Sequence, residues 1–227
     1  YEILNKKYPI AEMDEIIIGS NTLSKKDYLD CRLMNLFVIT FYNNAVFEEI
    51  FALLKSISIA PIDLLIYMKD HPELYSNTIK EILKDFVSET TEDLYETSEE
   101  AKQRVLSSEM IAKYIKKELG YNELLLNRER LFNKFDDSRN LIFKSTKNII
   151  KQKHLLTKKI ENYLIELEKF ISMRKKDPLI DMGSVKSMTF NYDFETIQES
   201  KYCINPNSLP LANTPLRFDF FHNKEQQ

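Results

Sequence analysis

The sequence predicts a mainly α-helical, bundle-like domain with a short N-terminal strand and a small C-terminal β element. The 227 residues include only three glycines and seven prolines, too few for a fold with many tight turns. Hydrophobic residues make up 43% of the chain, which is enough for a packed core. Apolar residues also recur at three- and four-residue steps. We expect a lead-in with a short strand at 1–23, a helical domain at 24–176, and an extended tail with a small β element at 177–227.

The first elements are predicted from short local signals. Tyr1–Met13 is expected to be irregular, and Asp14–Gly19, with the sequence DEIIIG, is typical of a short strand ended by glycine. Ser24 stands three positions before Asp27, as in a capping box, so a helix should begin at Lys25. The aromatic and aliphatic residues of this helix lie on more than one face, which indicates that the helix is buried on most sides.

Asparagines and prolines divide the next stretch into shorter helices. Asn43–Asn44 is expected to break the first helix, after which a second apolar face follows. Pro61 suits the first turn of a helix at Ile62–Lys69, and Pro72 is expected to begin another. The inward face of that last helix should carry Ile79, Ile82, Leu83 and Phe86.

The second half of the chain carries longer helical patterns. Ala101–Leu119 is amphipathic, with Gly120 at the expected C-terminal cap and Asn122 capping the next helix. Asp136–Asn140 indicates a turn. A helix over Lys144–Lys175 follows, and its near-heptad spacing favours packing against another long helix or a partner.

The chain is expected to end in a β element. Asp177–Pro178 should end the long helix, and Ser187–Asp193 alternates apolar and polar residues as a strand does. Leu216–Phe221 is a second candidate strand, and we expect the two to pair.

Two charge runs have a structural and a functional interpretation. Glu89–Glu100 contains six acidic and no basic residues, and a solvated face or mobile loop is favoured over a cation site. The Asp/Asn/Gly pattern of a calcium loop is missing there. Six lysines in the first half of the Lys144–Lys175 helix similarly favour a solvated face over an anion or RNA site, because no aromatic residues are interleaved for base stacking.

Composition weighs against several classes of protein. The net charge of −3 and pI of 5.8 do not favour nucleic-acid binding. Cys31 and Cys203 show no metal-ligand spacing and are interpreted as reduced thiols. The apolar runs are too short and too polar for a membrane span, and no secretion leader opens the sequence. We therefore expect a cytoplasmic protein.

Catalytic motifs are missing from the sequence. Glycine-rich phosphate loops, HExxH and GxSxG do not occur, and His71, His154 and His222 are isolated. Arg32 lies in the predicted buried helix, where it can pair with Asp27 or Glu49 or face an anionic ligand. Arg32, Tyr42 and Asn43 are the candidate ligand or interface residues.

Three segments resemble the region that follows the catalytic barrel in cobalamin-dependent radical S-adenosylmethionine enzymes. Asp14–Asp70 opens with the pattern EIIIGSNTLSKKDYLDCRLMNLFVITFYN, and Gly120–Phe132 and Met188–Phe194 follow in the family's order. The matching positions in the first segment are Ser20, Thr22, Leu23, Ser24, Asp27 and Tyr28.

The resemblance implies an accessory C-terminal domain that is not catalytic by itself. The cluster-binding CxxxCxxC and the cobalamin-binding half are not in this sequence, and both would precede Tyr1 in a full-length member. S-adenosylmethionine, a [4Fe-4S] cluster and cobalamin would then belong to the parent enzyme, and none to this chain. The expected partners are the N-terminal domains of the same parent, and the expected role is to cover the barrel, shape the substrate pocket or hold the domains together.

The alternative is a helical interaction or scaffold module without an enzymatic parent. This hypothesis predicts self-association through the Lys144–Lys175 helix. An enzyme complete in this chain is least favoured, because no linear motif supplies convergent titratable groups.

Overall fold

The computed structural model describes residues 2–7, 14–116, 121–175 and 185–221. These residues are mainly helical with small antiparallel β elements, so the predicted fold class is confirmed. The chain divides into two compact units. Unit 1 comprises Tyr1–Leu36 and Glu81–Arg130, and unit 2 comprises Phe37–Lys80 and Leu131–Gln227. The three sequence-based domains stay a prediction, and the boundary expected at 176–177 lies outside the described residues.

Helices form most of the regular structure in the described residues. They are, in chain order, α1 Lys25–Phe37, α2 Glu48–Ser56, α3 Pro61–Asp70, α4 Asn77–Glu92, α5 Ser98–Val105, α6 Ser108–Ile115, α7 Glu123–Asn133, α8 Phe135–Gln152, α9 Lys158–Lys175 and α10 Phe194–Glu199. The strands are β1 Glu2–Ile3, β2 Lys6–Lys7, β3 Lys186–Phe190 and β4 Leu216–Phe220. A π-helical segment at Val38–Asn43 and a 3-10 turn at Pro72–Leu74 complete the described elements.

The N-terminal strand lies at a different place from the one predicted. The expected strand at Asp14–Gly19 is wrong, because residues 14–20 form no ladder with another strand. An isolated apolar run cannot satisfy its backbone groups as a strand without a partner. The short strands are instead β1 and β2, which pair antiparallel across a turn at Leu4 and Asn5, within the stretch expected to be irregular.

The start of α1 confirms the predicted capping box. The Ser24 N–H donates to Asp27 Oδ2 at 2.9 Å, and the Asp27 N–H donates to Ser24 Oγ at 3.2 Å. These hydrogen bonds from Ser24 hold the pKa of Asp27 below its usual value. Just before them, the Ser20 N–H donates to the Leu23 carbonyl at 2.7 Å. Several positions that carry the family resemblance therefore form a turn and a helix cap.

The helices that follow the cap agree with the prediction in most respects. The π-helical segment ends at Asn43, so the expected break at Asn43–Asn44 is confirmed. Pro61 occupies the first turn of α3. Pro72 begins only a 3-10 turn, and α4 starts later, at Asn77. The predicted inward face of α4 is buried and consists of Ile79, Ile82, Leu83 and Phe86.

The amphipathic pattern at Ala101–Leu119 belongs to two helices rather than one. Ser107 has extended backbone dihedrals, and its hydroxyl accepts the N–H of Met110 at 3.3 Å. The side chain therefore caps α6 and ends the continuity with α5. The predicted cap at Gly120 lies outside the described residues, whereas Asn122 caps α7 by accepting the Leu125 N–H at 3.0 Å.

The predicted helix over Lys144–Lys175 is wrong, because it is a helical hairpin. α8 ends at Gln152, and His154 has a φ of 57°, a left-handed conformation that ends the helix. Thr157 then caps α9 by accepting the Ile160 N–H at 3.2 Å. The turn expected at Asp136–Asn140 is also wrong, because those residues lie in the first turns of α8.

The two hairpin helices are antiparallel and pack against each other. Lys147 Nζ of α8 lies 2.7 Å from Glu161 Oε1 of α9, and Arg139 of α8 donates to Ser172 Oγ of α9 at 2.5 Å. Most residues of the near-heptad stripe are buried, namely Ile149, Ile160, Tyr163, Leu167 and Phe170. The apolar spacing that favoured a partner helix is therefore used within unit 2.

The C-terminal strands pair as predicted. β3 and β4 are antiparallel, with Lys186 opposite Phe220 and Phe190 opposite Leu216. An aromatic cluster joins this sheet to α9, since the Phe170 ring lies 5.5 Å from Phe220 and stacks on Phe194 at 4.3 Å. The expected end of the long helix at Asp177–Pro178 lies outside the described residues.

A buried carboxylate anchors α2 to the end of α9. Glu49 has no exposed surface, and Lys175 Nζ lies 2.7 Å from its Oε1. The same ammonium donates to the Val46 carbonyl at 2.7 Å. Arg174 lies 3.5 Å from Glu49 and donates to the Tyr202 hydroxyl at 2.6 Å. Both cations therefore depend on Glu49 for part of their neutralisation.

No single helix in the described part of the chain is long and apolar enough to cross a membrane. The pair Lys25–Asn43 and Glu48–Ser56, bent by 90°, meets the length and composition requirements only when taken together.

Replacing Glu49 should destabilise the fold strongly. We expect Glu49→Ala to lower the free energy of unfolding by about 3 kcal/mol, because it leaves Lys175 and Arg174 without their buried counter-charge. Urea denaturation measures the difference. Glu48→Ala is the matched control, because Glu48 is the exposed neighbour on the same helix. Equal losses in the two variants would contradict the role assigned to Glu49.

The Glu49 carboxyl should also make stability depend on pH. Burial raises the pKa of Glu49 above its usual 4.5, despite the attraction of Lys175 and Arg174. The folded state then holds the proton more tightly than the unfolded state does, so this contribution is full below pH 4.5 and is lost as the pH rises through the folded pKa. The free energy of unfolding relative to Glu49→Gln should therefore fall with rising pH. If this difference in the free energy of unfolding grew with rising pH, the ion pairs would have a larger effect on the pKa of Glu49 than burial does.

Candidate functional site: an acidic cleft in unit 1

Unit 1 contains a cleft of about 1530 Å³. Its walls come from the segment before α1, from the end of α4 through α6, and from the start of α7. We call it the acidic cleft. The lining residues are Asp14, Glu15, Ile16, Ile18, Glu89, Glu92, Asp93, Leu94, Tyr95, Glu96, Thr97, Ser98, Ala101, Lys102, Val105, Met110, Tyr114, Tyr121, Asn122, Glu123 and Leu126. The site is therefore assembled from stretches that lie far apart in sequence.

The charge of the acidic cleft is strongly one-sided. Among its described lining residues, seven are carboxylates and one, Lys102, is basic. The five exposed carboxylates, which we call the rim carboxylates, are Asp14, Glu15, Glu92, Asp93 and Glu96. None of the five has a basic side chain within ion-pair distance in the described part of the chain. They therefore give the opening an uncompensated negative potential.

The floor of the acidic cleft is apolar. Seven apolar or aromatic lining residues are buried or half-buried, and we call them the floor residues: Ile18, Leu94, Tyr95, Ala101, Val105, Met110 and Leu126. Tyr114 and Tyr121 are more exposed and also line the cleft. The arrangement can accept an apolar group below and a cationic group above.

A buried asparagine organises the acidic residue nearest α7. Asn127 is fully buried and donates to Glu89 Oε2 at 2.5 Å and to the Glu123 carbonyl at 2.8 Å. Arg130 donates to the other Glu89 oxygen at 3.0 Å and to Asn127 Oδ1 at 3.1 Å. Glu89 is therefore held and neutralised by α7, unlike the rim carboxylates.

Arg32 neutralises Glu123, which together with Glu89 we call the inner carboxylates because both already have basic partners. Its guanidinium forms an ion pair with Glu123, and it lies 6.0 Å from the centre of the Phe86 ring. The partner is thus Glu123, and the sequence-based pairing with Asp27 or Glu49 is wrong because α7, far away in sequence, supplies the carboxylate. The side chain of Arg32 is 25% exposed. Its role as an anion ligand stays a prediction.

Asp93 shows the electrostatic consequence of this clustering. Partial burial raises the pKa of Asp93, and the neighbouring charges of Glu123, Glu92 and Glu89 raise it further. Each of these neighbours also lines the acidic cleft. A cation placed at the rim would oppose this effect, because it favours the ionised carboxylate.

The other two predicted candidates belong to unit 2. Tyr42 is 46% exposed, and its ring packs edge-on against Phe51 with centroids 5.0 Å apart. Asn43 is exposed at the end of the π-helical segment. Their role as ligand or interface residues stays a prediction.

The histidines and cysteines show ordinary environments where the structure describes them. His71 stacks on Tyr67, with ring centres 3.8 Å apart, and His154 lies in the turn before α9. His222 lies outside the described residues. Cys31 and Cys203 are exposed free thiols. No cluster of three His, Cys, Asp or Glu side chains that could hold a metal ion occurs within residues 2–7, 14–116, 121–175 and 185–221.

Only one wall of the acidic cleft, the run Glu89–Glu100, stands out in the sequence. The run Glu89–Glu100, which the sequence indicates as a solvated face or mobile loop, divides among the end of α4, a loop and the start of α5. The useful signal is Leu94 and Tyr95 within the acidic run, because apolar residues there indicate contact with a floor. The contributions of Asp14, Tyr114 and Glu123 could not be predicted without the tertiary fold.

Comparison with known proteins gave no match to a family model, to a curated protein or to a solved structure.

The Arg32–Glu123 pair should be energetically coupled. A double-mutant cycle with Arg32→Met and Glu123→Gln should give a coupling energy of about 1 kcal/mol, as expected for a half-buried charge-assisted contact. Urea denaturation of the two single variants and the double variant supplies the values. Additive losses would show that the contact does not stabilise unit 1.

Proposed function

We propose that this chain is a non-catalytic helical domain that docks onto another polypeptide through the acidic cleft, which Ile16 lines, and the adjoining residue Ile17. The exposure of these isoleucines is the main support, since Ile16 is 53% and Ile17 78% exposed. Two adjacent apolar side chains beside a cleft with an apolar floor resemble the surfaces that partners cover.

The size of the acidic cleft favours a polypeptide over a small ligand. Pockets for drug-sized molecules hold about 300–1,000 Å³, whereas this cleft holds about 1530 Å³. The apolar floor would bury side chains of the incoming segment, and the rim carboxylates would fix its orientation through charge.

The resemblance suggests a specific form of this proposal. The partner would be the N-terminal part of a cobalamin-dependent radical S-adenosylmethionine enzyme of which this chain is the C-terminal region. In that form the chain covers the barrel or shapes the substrate pocket, while the parent holds S-adenosylmethionine, the [4Fe-4S] cluster and cobalamin. The exposed Ile16 and Ile17 support it, because they precede α1 in the sequence, as the barrel would in a full-length member.

The alternative form is an interaction module whose partner is encoded separately. It uses the same docking surface. Self-association through α8 and α9 is less favoured, because Ile149, Tyr163 and Leu167 of the near-heptad stripe are buried within unit 2.

The reading frame upstream of Tyr1 tests the proposal. We expect it to continue and to encode a CxxxCxxC motif. The upstream polypeptide, produced separately, should associate with this chain, and Ile16→Ser/Ile17→Ser should weaken the association at least about tenfold because apolar burial is lost. Sedimentation velocity measures the affinity.

A matched control isolates the docking surface. Ile62→Ser/Ile66→Ser replaces two isoleucines of α3 in unit 2 that are 46% and 43% exposed, and it should leave the association unchanged. A continuing frame without the cysteine motif would favour the separate module over the radical enzyme. Failure of the wild-type chain to associate with the upstream polypeptide would overturn the accessory-domain form.

A further inference from the structure

We infer that the segment received by the acidic cleft is basic and amphipathic, with Lys or Arg side chains at the rim and apolar side chains on the floor. This inference rests on the proposed docking function and names the chemistry of the partner.

The division of the carboxylates supports a basic partner. Glu89 and Glu123 already pair with Arg130 and Arg32, so they are part of the fold. The rim carboxylates have no such partners among the described residues, and Lys102 is the one basic residue that the described lining contributes. Bringing an acidic segment to this rim would place like charges together, which costs several kcal/mol across an interface.

Hydrogen bonding within the rim does not relieve this charge. Glu92 accepts the Ser88 hydroxyl at 3.0 Å, which is a neutral donor on the same helix. Burial is the main cause of the raised pKa of Asp93, and the neighbouring carboxylates Glu123, Glu92 and Glu89 raise it further. Cationic side chains entering the rim would replace this repulsion with attraction.

The floor explains why the partner should also be apolar. Leu94, Val105, Met110 and Leu126 offer dispersion contacts and burial that a hydrated metal ion or a small polyamine could not use. Tyr114 lines the cleft and is 44% exposed, and an aromatic ring attracts Lys and Arg side chains. An amphipathic helix presents both kinds of side chain on one face, which matches this combination.

Three short peptides with one helical pattern test the inference. Their apolar face is leucine throughout, and their polar face is lysine, glutamine or glutamate. Isothermal titration calorimetry on the whole chain should show that the lysine peptide binds most tightly, the glutamine peptide less tightly and the glutamate peptide least tightly. The affinity of the lysine peptide should be at least about tenfold higher than that of the glutamine peptide. Added salt should reduce this advantage.

Variants then locate the binding site. The triple variant Glu92→Gln/Asp93→Asn/Glu96→Gln should weaken binding of the lysine peptide at least about tenfold, because three favourable charge pairs are lost. The control Glu48→Gln/Glu195→Gln/Glu199→Gln removes the same formal charge from exposed positions of unit 2 and should change the affinity less than about twofold. All six residues are exposed, and circular dichroism checks that both variants fold.

Each outcome separates the inference from the function on which it rests. If the glutamine and lysine peptides bind equally, docking stands and the basic partner is wrong. Equal weakening in both triple variants would show that net charge rather than the acidic cleft attracts the peptide, which also overturns the inference. If none of the three peptides binds while the upstream polypeptide does, docking stands and the amphipathic segment is wrong. Failure of both kinds of partner would overturn the accessory-domain form and the basic amphipathic segment together.

Discussion

The pairing of two inner carboxylates determines the character of unit 1. Glu89 is held by Asn127 and Arg130, and Glu123 is paired with Arg32. A half-buried carboxylate needs such partners, because removal from water costs free energy that only hydrogen bonds and opposite charge restore. Arg32 of α1 and Arg130 of α7 are paired with these two carboxylates, whereas the rim carboxylates have no basic partner among the described residues. The acidic cleft is therefore a consequence of how unit 1 satisfies its own interior.

The buried acid of unit 2, Glu49, has basic partners. Glu49 is completely buried and forms ion pairs with Lys175 and Arg174, and these pairs join α2 to α9. Asp93 instead faces other carboxylates. In both cases burial raises the pKa of the acid, but of the two only Asp93 lines the acidic cleft. This contrast separates an acid that is paired within the fold from one that has no basic partner among the described residues.

Local signals predict some helix starts and the C-terminal strand pair, whereas tertiary packing decides the rest. The capping box at Ser24 and the alternation around Phe190 depend on near neighbours, and both are confirmed. The hairpin break at His154 escapes sequence reasoning, because neither glycine nor proline marks it and contacts such as Lys147–Glu161 fold α9 back onto α8. The acidic cleft needs residues near 14, 93 and 123 together, and no pattern within one segment contains that information.

The location of a bound basic segment can be measured residue by residue. Titration of the isotopically labelled chain with the leucine–lysine peptide, followed through backbone amide resonances, should shift the signals of residues 92–98 and 14–18 first. The signals of α8 and α9 should stay in place. Shifts concentrated in unit 2, or spread evenly over every exposed acid, would show that the acidic cleft is not where a basic partner binds.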